Sequence, residues 1–152
     1  MLFFIIATLL TTSVAFANIL DGAEEFKGHY YKTFEFETSW DDAKVFCESV
    51  GGHLATIGSQ EEHLFVIEVC KKGSKWPGKY WLGGYRNSKG IWKWIDGTVI
   101  SLNNWERGYP DSSAFSNTIS MLYGKWWSVN NTYTYGFVCE WESLTFAHET
   151  NW

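Results

Sequence analysis

The chain has 152 residues, with 12 Lys and Arg against 17 Asp and Glu, a net charge of −5. That length holds one domain with a sizeable core, and an acidic chain with no basic block long enough to follow a phosphate backbone excludes nucleic acid as a partner. Charges interrupt every apolar run after Ala17, so no later segment reads as a membrane-spanning helix.

Residues 1–17 carry no charge, run apolar through Leu2-Phe3-Phe4-Ile5-Ile6 and Leu9-Leu10, and end in Ala15-Phe16-Ala17, a small-x-small pattern. They predict a secretory signal peptide cut before Asn18. The first residues lack Lys and Arg, which leaves a retained membrane anchor as the alternative, although the run is short for a span of ~20 residues. An exported chain meets an oxidising environment, where its three cysteines give one disulfide and one remainder.

Residues 18–25 read as a polar lead-in, and Tyr30, Tyr31, Thr33, Phe34 and Phe36 predict a strand over 26–36. Ser39 and Asp42 form a capping pair ahead of Ala43, Phe46, Cys47 and Val50 at helical spacing, and Gly51-Gly52 ends that helix. A short extended link over 53–57 leads to a second capping pair, Ser59 and Glu62. The helix it opens, over 60–72, is expected to bury Phe65, Val66 and Val69. The acidic pairs Asp41-Asp42 and Glu61-Glu62 sit in first helical turns, where negative charge is favoured, so they read as helix ends rather than catalytic carboxylates. Cys70 lies among Phe65, Val66, Ile67 and Val69. It is either a buried apolar thiol or the link of an intermolecular disulfide that would make a dimer. Lys71, Lys72, Lys75 and Lys79 read as a solvated cluster at the helix C-terminus rather than a polyanion site.

Strands are predicted at 80–84 and 91–95, with Asp96-Gly97 as a turn, and again at 119–123, 126–129 and 137–141, with Tyr123-Gly124-Lys125 as a tight turn. Between them, residues 98–116 show no periodicity, and a loop that long in a compact domain is usually functional or disordered. Strand, helix, helix and then strands make an α+β domain, two helices beside mainly antiparallel sheets.

No catalytic or phosphate-binding motif is present, and the four histidines, His29, His53, His63 and His148, are scattered, reading as surface or local structure. The chain is therefore not read as an enzyme. Ten tryptophans and an aromatic share of 19% could fill a core or stack on a ligand.

Residues 26–142 resemble the C-type lectin-like domain family. The resemblance is carried by the first helix with its cysteine, Gly51-Gly52-His53-Leu54-Ala55-Thr56-Ile57, Ser59-Gln60-Glu61-Glu62, and Tyr80-Trp81-Leu82-Gly83-Gly84. Trp92-Lys93-Trp94-Ile95-Asp96-Gly97-Thr98, Asn104-Trp105 and Gly136-Phe137-Val138-Cys139-Glu140 complete the series. It implies a double-loop fold in which Cys47 pairs with Cys139 and residues 98–116 belong to the long loop. It also implies a site where calcium holds two sugar hydroxyls, through a Glu-Pro-Asn or Gln-Pro-Asp triplet, a later Glu and a Trp-Asn-Asp triplet. Here those positions hold Tyr109-Pro110-Asp111, Ser116 and Trp126-Trp127-Ser128, so only Asp111 remains a good ligand for a hard cation. The family's second disulfide is missing as well, its positions falling at Thr118 and Asn131, which leaves Trp105, Trp126 and Trp127 to hold the loop by packing.

The expected function is thus a secreted recognition module that binds carbohydrate without calcium or any other cofactor, or else an extracellular protein through the same loop surface. Candidate ligand-binding residues are Tyr109, Asp111, Ser116, Trp127 and Ser128. Trp127 either exposes a ring for stacking or folds inward as packing. Asn130-Asn131-Thr132 is an acceptor sequence for N-glycosylation at Asn130. Residues 143–152 have no counterpart in the family and receive no role.

Overall fold

In the computed structural model, which describes residues 18–142, the first aromatic segment folds as a hairpin rather than a single strand. Strands β1 (Glu24–Phe26) and β2 (His29–Thr38) pair antiparallel across Lys27 and Gly28, which both take positive φ, 50° and 87°. Two such residues in a row make the tight turn whose twist suits a hairpin. The expected lead-in therefore becomes strand at Glu24. The expected signal peptide and the 143–152 segment lie outside the described residues.

Helix α1 (Trp40–Ser49) begins where its cap dictates: the Ser39 hydroxyl accepts the Asp42 backbone N–H at 3.2 Å. Helix α2 (Gln60–Lys71) repeats the device, with Ser59 accepting from the Glu62 N–H at 3.1 Å. Both acidic pairs thus lie in first turns, as their sequence context implies. α1 buries Trp40, Ala43 and Cys47, while α2 buries His63, Val66, Val69 and Cys70. Phe65, expected inside, is only partly buried and stacks on Phe26 with ring centroids 5.0 Å apart.

The remaining strands are β3 (His53–Leu54), β4 (Tyr80–Arg86), β5 (Trp92–Trp94), β6 (Thr118–Leu122), β7 (Lys125–Val129) and β8 (Tyr135–Trp141). They form an eight-stranded mixed sheet in the order β1-β2-β8-β4-β6-β7, with β3 on β8 and β5 on β4. The pairs are antiparallel except β4 with β8, where Tyr80 lies opposite Gly136. β8 therefore touches β2, β3 and β4 and is the centre of the fold. Its Glu140, 2% exposed, accepts the Thr56 N–H at 2.9 Å and lies 2.7 Å from His29 Nδ1, tying the link after β3 to the first hairpin. A buried carboxylate requires such partners.

Cys47 on α1 is bonded to Cys139 on β8, with Cα atoms 5.6 Å apart. The expectation that Cys70 could join two chains is corrected: its side chain is 0% exposed, inside the cluster formed by Val66, Val69 and Tyr80, and burial pushes its thiol pKa far up. A thiol sealed in this way reaches no partner chain.

Candidate functional site

The long loop is fastened by tryptophan. Trp126 on β7 donates its N–H to the Asn104 carbonyl at 2.8 Å and accepts the Glu106 N–H at 2.9 Å. Its fully buried indole lies edge-on to Trp94 and Trp105, with centroids 5.3 and 5.9 Å away, and Trp105 in turn lies 4.9 Å from Trp92. The positions that resemble the lost disulfide hold other links. Thr118 donates its hydroxyl to the Val129 carbonyl at 2.7 Å, and Asn131 donates to Asp41 at 2.6 Å.

Successive side chains of a strand alternate faces, so Trp127 points away from the cluster that Trp126 joins. Its ring lies 4.6 Å from that of Tyr109, tilted by 54°. Both rings are half-buried. Trp127 also packs on the core cluster around Trp40 and Phe137, so the two alternatives for this residue merge: it is loop packing on one side and wall on the other. Ser128 is buried, and its hydroxyl accepts the Asp111 backbone N–H at 2.9 Å. The Asp111 carboxylate accepts the Ser113 N–H and the Ser116 hydroxyl, each at 3.2 Å.

Tyr109, Asp111, Ser116, Trp127 and Ser128 all line one depression of about 300 Å³. The wall also includes residues that the sequence does not single out as ligand contacts, among them Lys79, Ser113, Phe115, Tyr133 and Tyr135. Lys79 was assigned to the solvated cluster at the end of the second helix, and that is corrected. Lys71, Lys72 and Lys75 pair with Glu68, Glu24 and Glu37, whereas Lys79 lies in the depression with its ammonium 5.5 Å from the Trp127 ring centre and 5.3 Å from that of Tyr135. Burial, helped by Tyr133, raises the Tyr135 pKa, so its hydroxyl stays protonated. The depression thus offers aromatic walls, hydroxyl groups, one cation and one internally bonded carboxylate, a surface that can bind but holds no nucleophile and base in register.

The Lectin C-type domain family matches residues 37–141, and the chain belongs to that family. Its fold is the C-type lectin fold, and the domain is a non-catalytic binding module. Among individual relatives it is similar to human C-type lectin domain family 17, member A, 34% identical over 122 residues that make up 79% of this chain and 31% of that protein. It is also similar to mouse lithostathine-2, 30% identical over 81% of this chain and 75% of the relative. Of solved structures, the SPL-1–GlcNAc complex superposes with a TM-score of 0.72 at 31% identity, over 80% of this chain and 93% of that one.

Proposed function

We propose that the chain is an exported carbohydrate-recognition domain that binds sugar in the depression beneath its long loop without calcium. The observation that carries this reading is the lining itself. The ring faces of Tyr109 and Trp127 offer an apolar platform for sugar C–H surfaces, beside hydroxyl and amide groups that can exchange hydrogen bonds with sugar hydroxyls. The family's calcium does not fit this donor set. Ca²⁺ takes about six to eight oxygens, and the depression supplies one carboxylate, both of whose oxygens already accept bonds from its own loop. Among the described residues no group of three or more His, Cys, Asp or Glu could hold a metal ion. A related SPL-1 binds GlcNAc, which supports a sugar as the ligand class. Export is supported by the Cys47–Cys139 disulfide, a bond of oxidising compartments.

A protein partner is the second reading. Phe115 and Tyr133, 74% and 57% exposed, stand at the edge of the depression, as interface anchors do. A glycan array run with calcium and again with chelator decides between them. An unchanged set of bound glycans supports the proposal, loss of signal in chelator overturns its calcium-free half, and no glycan signal in either condition favours the protein partner. Asn130 also lines the depression, and its side-chain oxygen accepts the Thr132 N–H and hydroxyl at 3.0 and 2.8 Å. A glycan attached there would crowd the site.

A further inference from the structure

Two charged side chains line the depression, Lys79 and Asp111, and they are not equivalent. Asp111 is occupied within its own loop by the Ser113 N–H and the Ser116 hydroxyl. Lys79 has no carboxylate within salt-bridge reach among the described residues, although Lys71, Lys72 and Lys75, close by in sequence, each have one. Its position follows from topology: Tyr80 pairs in parallel with Gly136, which sets the preceding Lys79 beside Tyr135. The rings of Trp127 and Tyr135 steady the ammonium by cation–π attraction but leave its charge uncancelled. A half-buried cation in a concave aromatic wall focuses positive potential into the cleft.

We infer that this depression selects an acidic sugar, whose carboxylate or sulfate pairs with Lys79 while its ring lies against Tyr109 and Trp127. The inference rests on the carbohydrate reading above and adds the charge of the ligand. The whole chain, at −5, repels anions, so a preference for an acidic sugar has to arise locally.

The test is a heteronuclear NMR titration of the full chain in chelator. The probes are methyl β-glucuronide against methyl β-glucoside, and GlcNAc 6-sulfate against GlcNAc. The glucuronide or the sulfated sugar is expected to bind roughly fivefold or more tightly than its neutral counterpart, and the margin shrinks when salt is raised to about 0.5 M. Whichever acidic member shows the larger margin identifies the anionic group. Lys79→Met keeps an apolar stem over the rings and is expected to erase the margin, read as the ratio of acidic to neutral affinity within each variant, whereas Lys79→Arg retains it. Equal binding of acidic and neutral sugars to the native chain overturns the inference and leaves the carbohydrate reading standing. A margin that survives in Lys79→Met also overturns it. Binding of none of the four sugars overturns both. Melting temperatures of the variants within a few degrees of the native value establish that they are folded, and should Lys79→Met not fold, Lys79→Gln takes its place.

Discussion

Adjacent tryptophans carry opposite duties. Trp126 is fully enclosed against Trp94 and Trp105, so Trp126→Ala empties a core site and is expected to cost about 3–5 kcal/mol, read as a lower midpoint in denaturant. Trp127 shares its ring between the core and the depression. Trp127→Ala should weaken glycan binding by roughly tenfold, as should Tyr109→Ala, because each removes half of the tilted aromatic pair that forms the platform. The Tyr109 change is the cleaner test, since that ring belongs to a loop and not to the sheet. His63 sets a pH limit on the same region. It is 2% exposed, edge-on to Trp126, with Nε2 2.9 Å from the Gly124 carbonyl and Nδ1 without a partner. Desolvation lowers its pKa, Lys125 adds to the shift, and the Gly124 carbonyl opposes it. The folded chain thus binds this proton less readily than the unfolded chain. Stability from His63 is complete above the unfolded value near ~6.5 and is lost as pH falls through the window below it. Melting curves should therefore drop more between about pH 7.5 and about pH 5 for the native chain than for His63→Gln. Equal drops in the two chains would remove His63 as the cause.

At the level of elements, local chemistry accounts for the helices and non-local pairing for much of the site. Ser39 and Ser59 cap α1 and α2 where their capping pairs place them, and Ser59→Ala should cost about 1 kcal/mol in a denaturant melt. The turn at Tyr123 and Gly124, with φ of 51° and 72°, was equally legible from three residues. The strands β1 and β3 were not, because segments of three and two residues are too short for a period to declare itself. Tyr109, Asp111, Ser116, Trp127 and Ser128 are brought together by the Asp111 N–H bond to the Ser128 hydroxyl and the Trp105–Trp126 contact, and that register of the long loop against β7 was legible only through the family resemblance. Lys79 escaped it. Its neighbours in sequence are helix-end lysines, and only the parallel pairing of β4 with β8 carries it to Tyr135. Tyr133 and Tyr135 escaped for a similar reason, as they belong to no motif and face the depression through the return into β8.

Across the whole molecule, the strand β8 and the disulfide it carries join parts that are far apart in sequence. Cys47 and Cys139 are separated by 92 residues, and every wall of the depression lies inside that loop. In the chain-entropy account, closing a loop of this size stabilises the fold by about 4–5 kcal/mol, a large share of the total for a domain of this length. Replacing both cysteines by alanine should accordingly lower the unfolding free energy by several kcal/mol, roughly the loop term. The proposed sugar site should persist in whatever fraction stays folded, because the Trp105–Trp126 contact and the backbone bonds of Asn104 and Glu106 to Trp126 fasten the long loop independently. Thiol counting checks the covalent premise before any melt is interpreted. The native chain should show no reactive thiol, since Cys70 is enclosed. Unfolding without reductant should release one thiol, and unfolding with reductant all three. A reactive thiol in the native chain would mean that Cys70 reaches solvent. It would also reopen the route to a covalent dimer that its burial between α2 and the sheet closes.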